Sequence, residues 1–178
     1  MIEDIRSQLS EDERARAYKR IEKMALSVDD FETYADELST LHRSRRIRTL
    51  YLGKVGPTSV IEVAAQEASV RARCTEIITS VSKARYLLDT AMDAFKVHVL
   101  TKYKADLAEY RSIRDRENAV RTLLVKGERR ISEFDAVIEQ AAYVVEDIDK
   151  SGYQIKAICE MLNLVINNRD KSNLTQEM

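Results

Sequence analysis

Little in this chain interrupts a helix. It has one proline, no tryptophan and four glycines, and the glycines fall at Gly53 and Gly56, at Gly127 and at Gly152. Both breakers are far below ordinary usage, which leaves little room for the turns that a sheet needs between its strands. Histidine and cysteine are also scarce, at two of each: His42, His98, Cys74 and Cys159. No CxxC pair joins them, so no zinc site of ordinary spacing is expected, and both cysteines read as small buried hydrophobes. A glycine-rich phosphate loop, a nucleophile elbow and an HExxH helix are all missing. The chain therefore reads as non-enzymatic, with no cofactor and no metal. No apolar run approaches the roughly 20 residues that span a bilayer. Residues 1–9 carry acids and no apolar core of a signal peptide. The expectation is a soluble cytoplasmic protein (host cytoplasm if viral) with no membrane partner.

What the chain does have is charge and helical period. Residues 58–126 contain neither glycine nor proline, a stretch far longer than the roughly 8–20 residues of an ordinary helix. Ile78, Val81, Leu88, Ala91, Phe95, Val99, Tyr103, Leu107 and Tyr110 step through it mostly by three or four, a helix period with coiled-coil narrowness. This predicts one long helix or a helix pair over 58–127, with a break near Ser80–Ser82 if there is one. Before it, region 1–57 predicts a polar helix over 1–26, with a capping box at Ser10–Glu13. A second helix is predicted from about Asp30 to Leu52, ended by the turn at Gly53–Pro57. Gly127 is expected to close or kink the long helix. The seams Phe134, Val137, Ala141, Val144, Ile148 and then Ile155, Ile158, Leu162, Val165 follow, separated by a break at Ser151–Gly152. The tail 167–178 lacks an apolar pattern and is expected to be disordered. The fold class is thus all-α, with long helices and coiled-coil-like seams. Narrow seams under-bury long helices in a monomer, so 128–166 is expected to pack between subunits of a homo-oligomer.

The net charge of −1 hides an uneven distribution. Residues 1–41 hold eleven acids and six bases, 42–61 five bases and no acid, and 131–149 six acids and no base. Between 96 and 130 there are ten bases against five acids. Two clusters are candidates for a polyanion: Arg43, Arg45, Arg46 and Arg48, and Lys102, Lys104, Arg111 and Arg114. In the second, Lys102-Tyr103-Lys104 and Tyr110-Arg111 interleave cations with rings, as single-strand binders do. The competing reading packs Tyr103 and Tyr110 inside, on the seam. On one continuous helix Lys104, Arg111 and Arg114 would lie within about two turns on nearby faces.

A resemblance enters with Ser151-Gly152-Tyr153-Gln154-Ile155-Lys156-Ala157-Ile158-Cys159-Glu160-Met161. It resembles the Gly-aromatic-x-Ile-Lys-x-Ile-x-acid-Met run of the UvsY-like recombination mediators of T-even-type phages. Arg116-Glu117 followed by Val120-Arg121-Thr122-Leu123-Leu124 is similar to a second segment of that family. The family's Lys-x-Arg with paired tyrosines is not reproduced; Lys102-Tyr103-Lys104 and Lys96-Val97-His98 stand nearest to it. The resemblance implies a small helical protein that assembles into rings and binds single-stranded DNA. It also implies loading of a RecA-type recombinase onto strands covered by single-strand binding protein. The alternative is a structural or scaffold coiled-coil protein of phage-assembly type, whose charges only set helix pairing.

Overall fold

The computed structural model describes the backbone of residues 2–25, 28–47 and 57–176, and side chains within 5–24, 31–47 and 58–167. The fold is all-α, with no strand among the described residues. Among the described residues five α-helices follow in order: α1 Ile2–Leu9, α2 Glu13–Ala25, α3 Val28–Ser44, α4 Pro57–Lys102 and α5 Ile113–Gln176, with a 3-10 turn at Asp106–Glu109. The chain forms two compact units, Met1–Tyr34 with Thr79–Ile138, and Ala35–Ile78 with Glu139–Met178.

The first unit contains α1, α2, the start of α3, the second half of α4 and the first part of α5. The single helix expected over 1–26 is broken, because Asp12 leaves the helix and caps the next one. Its Oδ1 accepts the amides of Arg14 at 2.9 Å and Ala15 at 3.1 Å, which supplies two of the donors a helix start leaves unpaired. Along α4 the buried residues are Val81, Leu88, Met92, Phe95 and Val99; on α5 they are Val120, Leu124, Phe134 and Val137. Arg85 pairs with Asp135 and, further along α4, Lys96 with the earlier Glu117, so the two helices run antiparallel here. Tyr18 of α2 stacks on Phe95 with centroids 4.6 Å apart.

The long helix does not run to Gly127. It ends at Lys102, and α5 passes uninterrupted through both Gly127 and Gly152. α4 is also continuous through Ser80–Ser82. Gly127 is needed for close approach rather than for termination. A Cβ there would meet Met92 Sδ at 2.7 Å and the Tyr18 hydroxyl at 2.9 Å, while one at Gly152 would meet nothing within 4 Å. The two glycines therefore respond in opposite senses to the same change. Gly152→Ala raises stability by about 0.5–1 kcal/mol through helix propensity. Gly127→Ala gains the same propensity but must displace the Tyr18 hydroxyl, held by the stack on Phe95 and the bond to Glu22; that overpacking costs about 1–3 kcal/mol and makes it a net loss. Thermal unfolding followed by circular dichroism reads both. A stabilised Gly127→Ala would show that Met92 and Tyr18 move aside at no cost.

In the second unit α3 ends at Ser44, well short of Leu52. Gln66 Nε2 donates to the Ser44 carbonyl at 3.0 Å and the Ser44 hydroxyl to Leu41 O at 2.9 Å, so the helix end is satisfied without glycine. The turn at Gly53–Gly56 lies outside the described residues. Val70, Cys74 and Ile77 of α4 and Ala141, Val144 and Ile148 of α5 are buried. Cys159 is exposed, unlike Cys74, so only one of the two cysteines is the core residue expected. Ile47, Val60 and Val63 form a small apolar cluster on which Ile155, Ile158 and Leu162 rest, half-buried. The α5 backbone remains helical to Gln176, so the expected disordered tail is helix as far as that residue.

Candidate nucleic-acid interface

The link between α4 and α5 is built on two apolar anchors. Tyr103 and Leu107 are buried, and the Leu107 amide donates to Tyr103 O at 2.9 Å. The 3-10 turn ends at Tyr110, whose extended backbone (φ −77°, ψ 120°) turns the chain back. Ser112 then caps α5. Its Oγ accepts the Asp115 amide at 3.0 Å and donates to Asp115 Oδ2 at 2.7 Å. Ser112-Ile113-Arg114-Asp115 is a capping-box spacing legible in the sequence, and it was the signal for this break.

The anchors point inward, which leaves Lys104, Arg111 and Arg114 exposed. None of the three has an ion-pair or hydrogen-bond partner among the described residues. They stand on the link and the first turn of α5, not on one continuous helix as the sequence suggested. Two exposed acids, Asp106 and Glu109, share the link with them. Tyr103 is core, as the packing alternative had it, and Tyr110 is half-buried.

Lys102 differs from its neighbours. Its ammonium bonds Asp12 Oδ2, and the same oxygen meets His98 Nε2 at 2.9 Å. It also sits 5.5 Å from the centre of the Tyr103 ring, within range of a cation–π contact. The Lys102 bond holds the Asp12 carboxyl far below its ordinary range against the opposing effect of burial, with help from His98 and the Ala15 amide. The Lys102 ammonium is raised in turn, chiefly by Asp12.

The other cluster is dispersed. Arg45 is buried, and all three nitrogens of its guanidinium are hydrogen-bonded. Nε donates to Glu67 Oε2 at 2.9 Å, Nη2 to Glu67 Oε2 at 2.6 Å and to Ser151 Oγ at 2.8 Å, and Nη1 to Asp147 Oδ2. Burial pulls the Arg45 pKa down, and Glu67 and Asp147 more than offset it. Arg45 is thus a core residue and corrects the reading that gave it to a polyanion. Arg43 lies exposed beside His42 and Asp147 at the rim of a small polar cleft. Arg46 is exposed with an interaction of its own, and Arg48 lies outside the described residues. The clue missed in the sequence was Glu67, which stands on the apolar stripe between Val63 and Val70, and Ser151, which stands between Ile148 and Ile155. Polar residues on a seam need a buried partner.

The seam residues also have a different place from the one expected. Phe134, Val137, Ala141, Val144 and Ile148 are buried within the single chain, so that stretch of the seam has no surface for a second copy. Val165 is exposed, as are Tyr153, Met161, Leu164 and Ile166 on the same part of α5. Among the described residues no cluster of His, Cys, Asp or Glu could hold a metal ion, and no helix is long and apolar enough to cross a membrane. No family model matches the chain, and no curated protein or solved structure matches it either.

Proposed function

We propose that this protein is a non-enzymatic, homo-oligomeric single-stranded-DNA-binding protein that acts as a recombination mediator. The observation that carries the strand-binding part is the link 103–112 with the first turn of α5. Three cations, Lys104, Arg111 and Arg114, stand there exposed and uncommitted, while Arg45 of the denser arginine cluster is taken up by buried ion pairs. Cations without internal partners exchange only water and counterions when they meet phosphate, so binding there carries a small desolvation cost and a large salt dependence. Self-assembly is supported by the apolar surface left on the last third of α5, where Tyr153, Met161, Leu164, Val165 and Ile166 are exposed. The mediator role, with a RecA-type recombinase and single-strand binding protein as partners in the cytoplasm, rests on the family resemblance of residues 151–161.

A labelled oligonucleotide titrated across a salt series tests the reading. Wild type binds with an affinity that falls steeply with salt. The triple change of Lys104, Arg111 and Arg114 to Ala lowers the affinity and reduces the slope of log K against log salt by about 2, at roughly 0.7 for each phosphate that is no longer neutralised. The solution mass by light scattering stays at its wild-type value, whereas Met161→Asp with Val165→Asp lowers it. Absence of strand binding by the wild type would leave the structural scaffold reading in its place.

A further inference from the structure

The first unit also carries a groove whose lining shares no residue with those assigned to strand binding. α1 and α2 bound one side of a groove of about 520 Å³, with α4 and the first half of α5 completing it. That size falls within the roughly 300–1,000 Å³ of ordinary binding clefts. Its floor is apolar: Leu9, Tyr18 and Phe95 are buried, and Leu123 is half-buried. Val125 stands on the rim with 57 % of its surface exposed.

The rim is cationic. Arg6, Lys19 and Lys126 line the groove, all three are exposed, and none has a partner among the described residues. The one acid in the lining, Glu22, is half-buried and accepts the Tyr18 hydroxyl at 2.9 Å, which leaves three cations against one carboxylate. An apolar floor inside a positive rim complements a chain that carries the opposite charge around an apolar side chain. A nucleic-acid strand fits less well. Bases need exposed ring faces to stack on, and the two rings here, Tyr18 and Phe95, stack on each other and are buried.

We infer that the groove lined by Leu9, Leu123 and Val125 and rimmed by Arg6, Lys19 and Lys126 docks an acidic peptide segment of a partner protein, anchored by one aliphatic or aromatic side chain. Three point charges on the rim give register and association rate, and the apolar floor gives residence time. This surface is independent of the strand-binding reading, and either can hold without the other.

The test pans a random peptide display library on the full chain and then measures a synthetic peptide of the enriched consensus by fluorescence polarisation. The expected consensus combines several Asp or Glu with one Leu, Ile or Phe. Its affinity falls by about tenfold or more for Lys19→Glu with Lys126→Glu, as for reversed rim charges, and also for Val125→Asp. These side chains are exposed, and unchanged thermal unfolding of the variants confirms that the fold is intact. The proposal is overturned if no peptide is enriched, if the enriched peptides lack acids, or if they bind the variants as tightly as wild type. It is also overturned if Lys19→Glu with Lys126→Glu abolishes oligonucleotide binding, which would assign the groove to nucleic acid.

Discussion

Arg45→Met lowers the unfolding free energy by about 3–5 kcal/mol, the cost of leaving a buried charge without its partner. The charge left behind is Glu67, 3 % exposed and set in the apolar stripe of α4. Arg45 supplies it with three hydrogen bonds through Nε and Nη2 and at the same time reaches Ser151 and Asp147 on α5. Methionine keeps the length and apolar stem of the side chain but none of these donors. At about 2–4 °C per kcal/mol for a chain of this size, the midpoint falls by roughly 6–20 °C. Adding Glu67→Leu to Arg45→Met restores most of the loss, because an apolar pair in place of a buried ion pair is often neutral or better. Denaturant unfolding of the wild type, the single variant and the double variant reads this. A single variant within about 1 kcal/mol of wild type would show that water reaches Glu67 and that the network contributes little.

Asp12→Ala is the second large effect, at about 2.5–4 kcal/mol. It removes a helix cap worth about 1 kcal/mol and charge-assisted hydrogen bonds worth about 1.5–3 kcal/mol, all at one buried carboxylate. Asp12→Asn keeps Oδ1 for the Arg14 and Ala15 amides. It turns the Oδ2 position into an amide donor facing Lys102 or His98, so it loses the second contribution and keeps the first. The same site predicts a pH dependence. The carboxyl is depressed in the folded state, so its contribution is complete above the unfolded value near 3.9. It declines as pH falls from there toward the folded value, since the unfolded chain then binds the proton that the folded chain refuses. Wild type therefore loses stability below about pH 4, and Asp12→Asn loses less over the same range. The raised Lys102 is the same ion pair seen from the other end of the scale: its contribution is present below the ordinary lysine range and lost as pH rises through the raised value. Equal acid slopes for wild type and Asp12→Asn would remove Asp12 from the account.

Several elements were legible in the sequence because they depend on local chemistry. The scarcity of proline and glycine gives an all-α chain, and the three- and four-residue steps from Phe134 to Ile148 correspond to the buried face of α5. Even the break at 103–112 carried a readable mark, the serine and aspartate of its cap, which the uninterrupted apolar stepping through Tyr103 and Leu107 concealed. Those two residues continue the seam by spacing yet are buried as anchors of a turn. On the candidate site, the sequence named Lys104, Arg111 and Arg114 but set them on one helix, whereas the turn divides them between the link and the start of α5.

The sequence by itself determined which residues are apolar, how they repeat, and hence that the chain is helical and where its buried faces lie. It did not determine what covers those faces. Periodicity is a property of one helix, whereas burial is a property of two, and a seam at Val137–Ile148 reads the same whether α4 or a second copy lies against it. Only the tertiary structure decided that α4 covers it. The same holds for Gly127, where a local helix cost of about 1 kcal/mol is overridden by close packing against Tyr18 and Met92. It holds equally for Arg45, whose four-residue basic neighbourhood suggests a surface for anions. Glu67, Asp147 and Ser151 lie 22, 102 and 106 residues away in the chain, and their meeting at one guanidinium makes it part of the core.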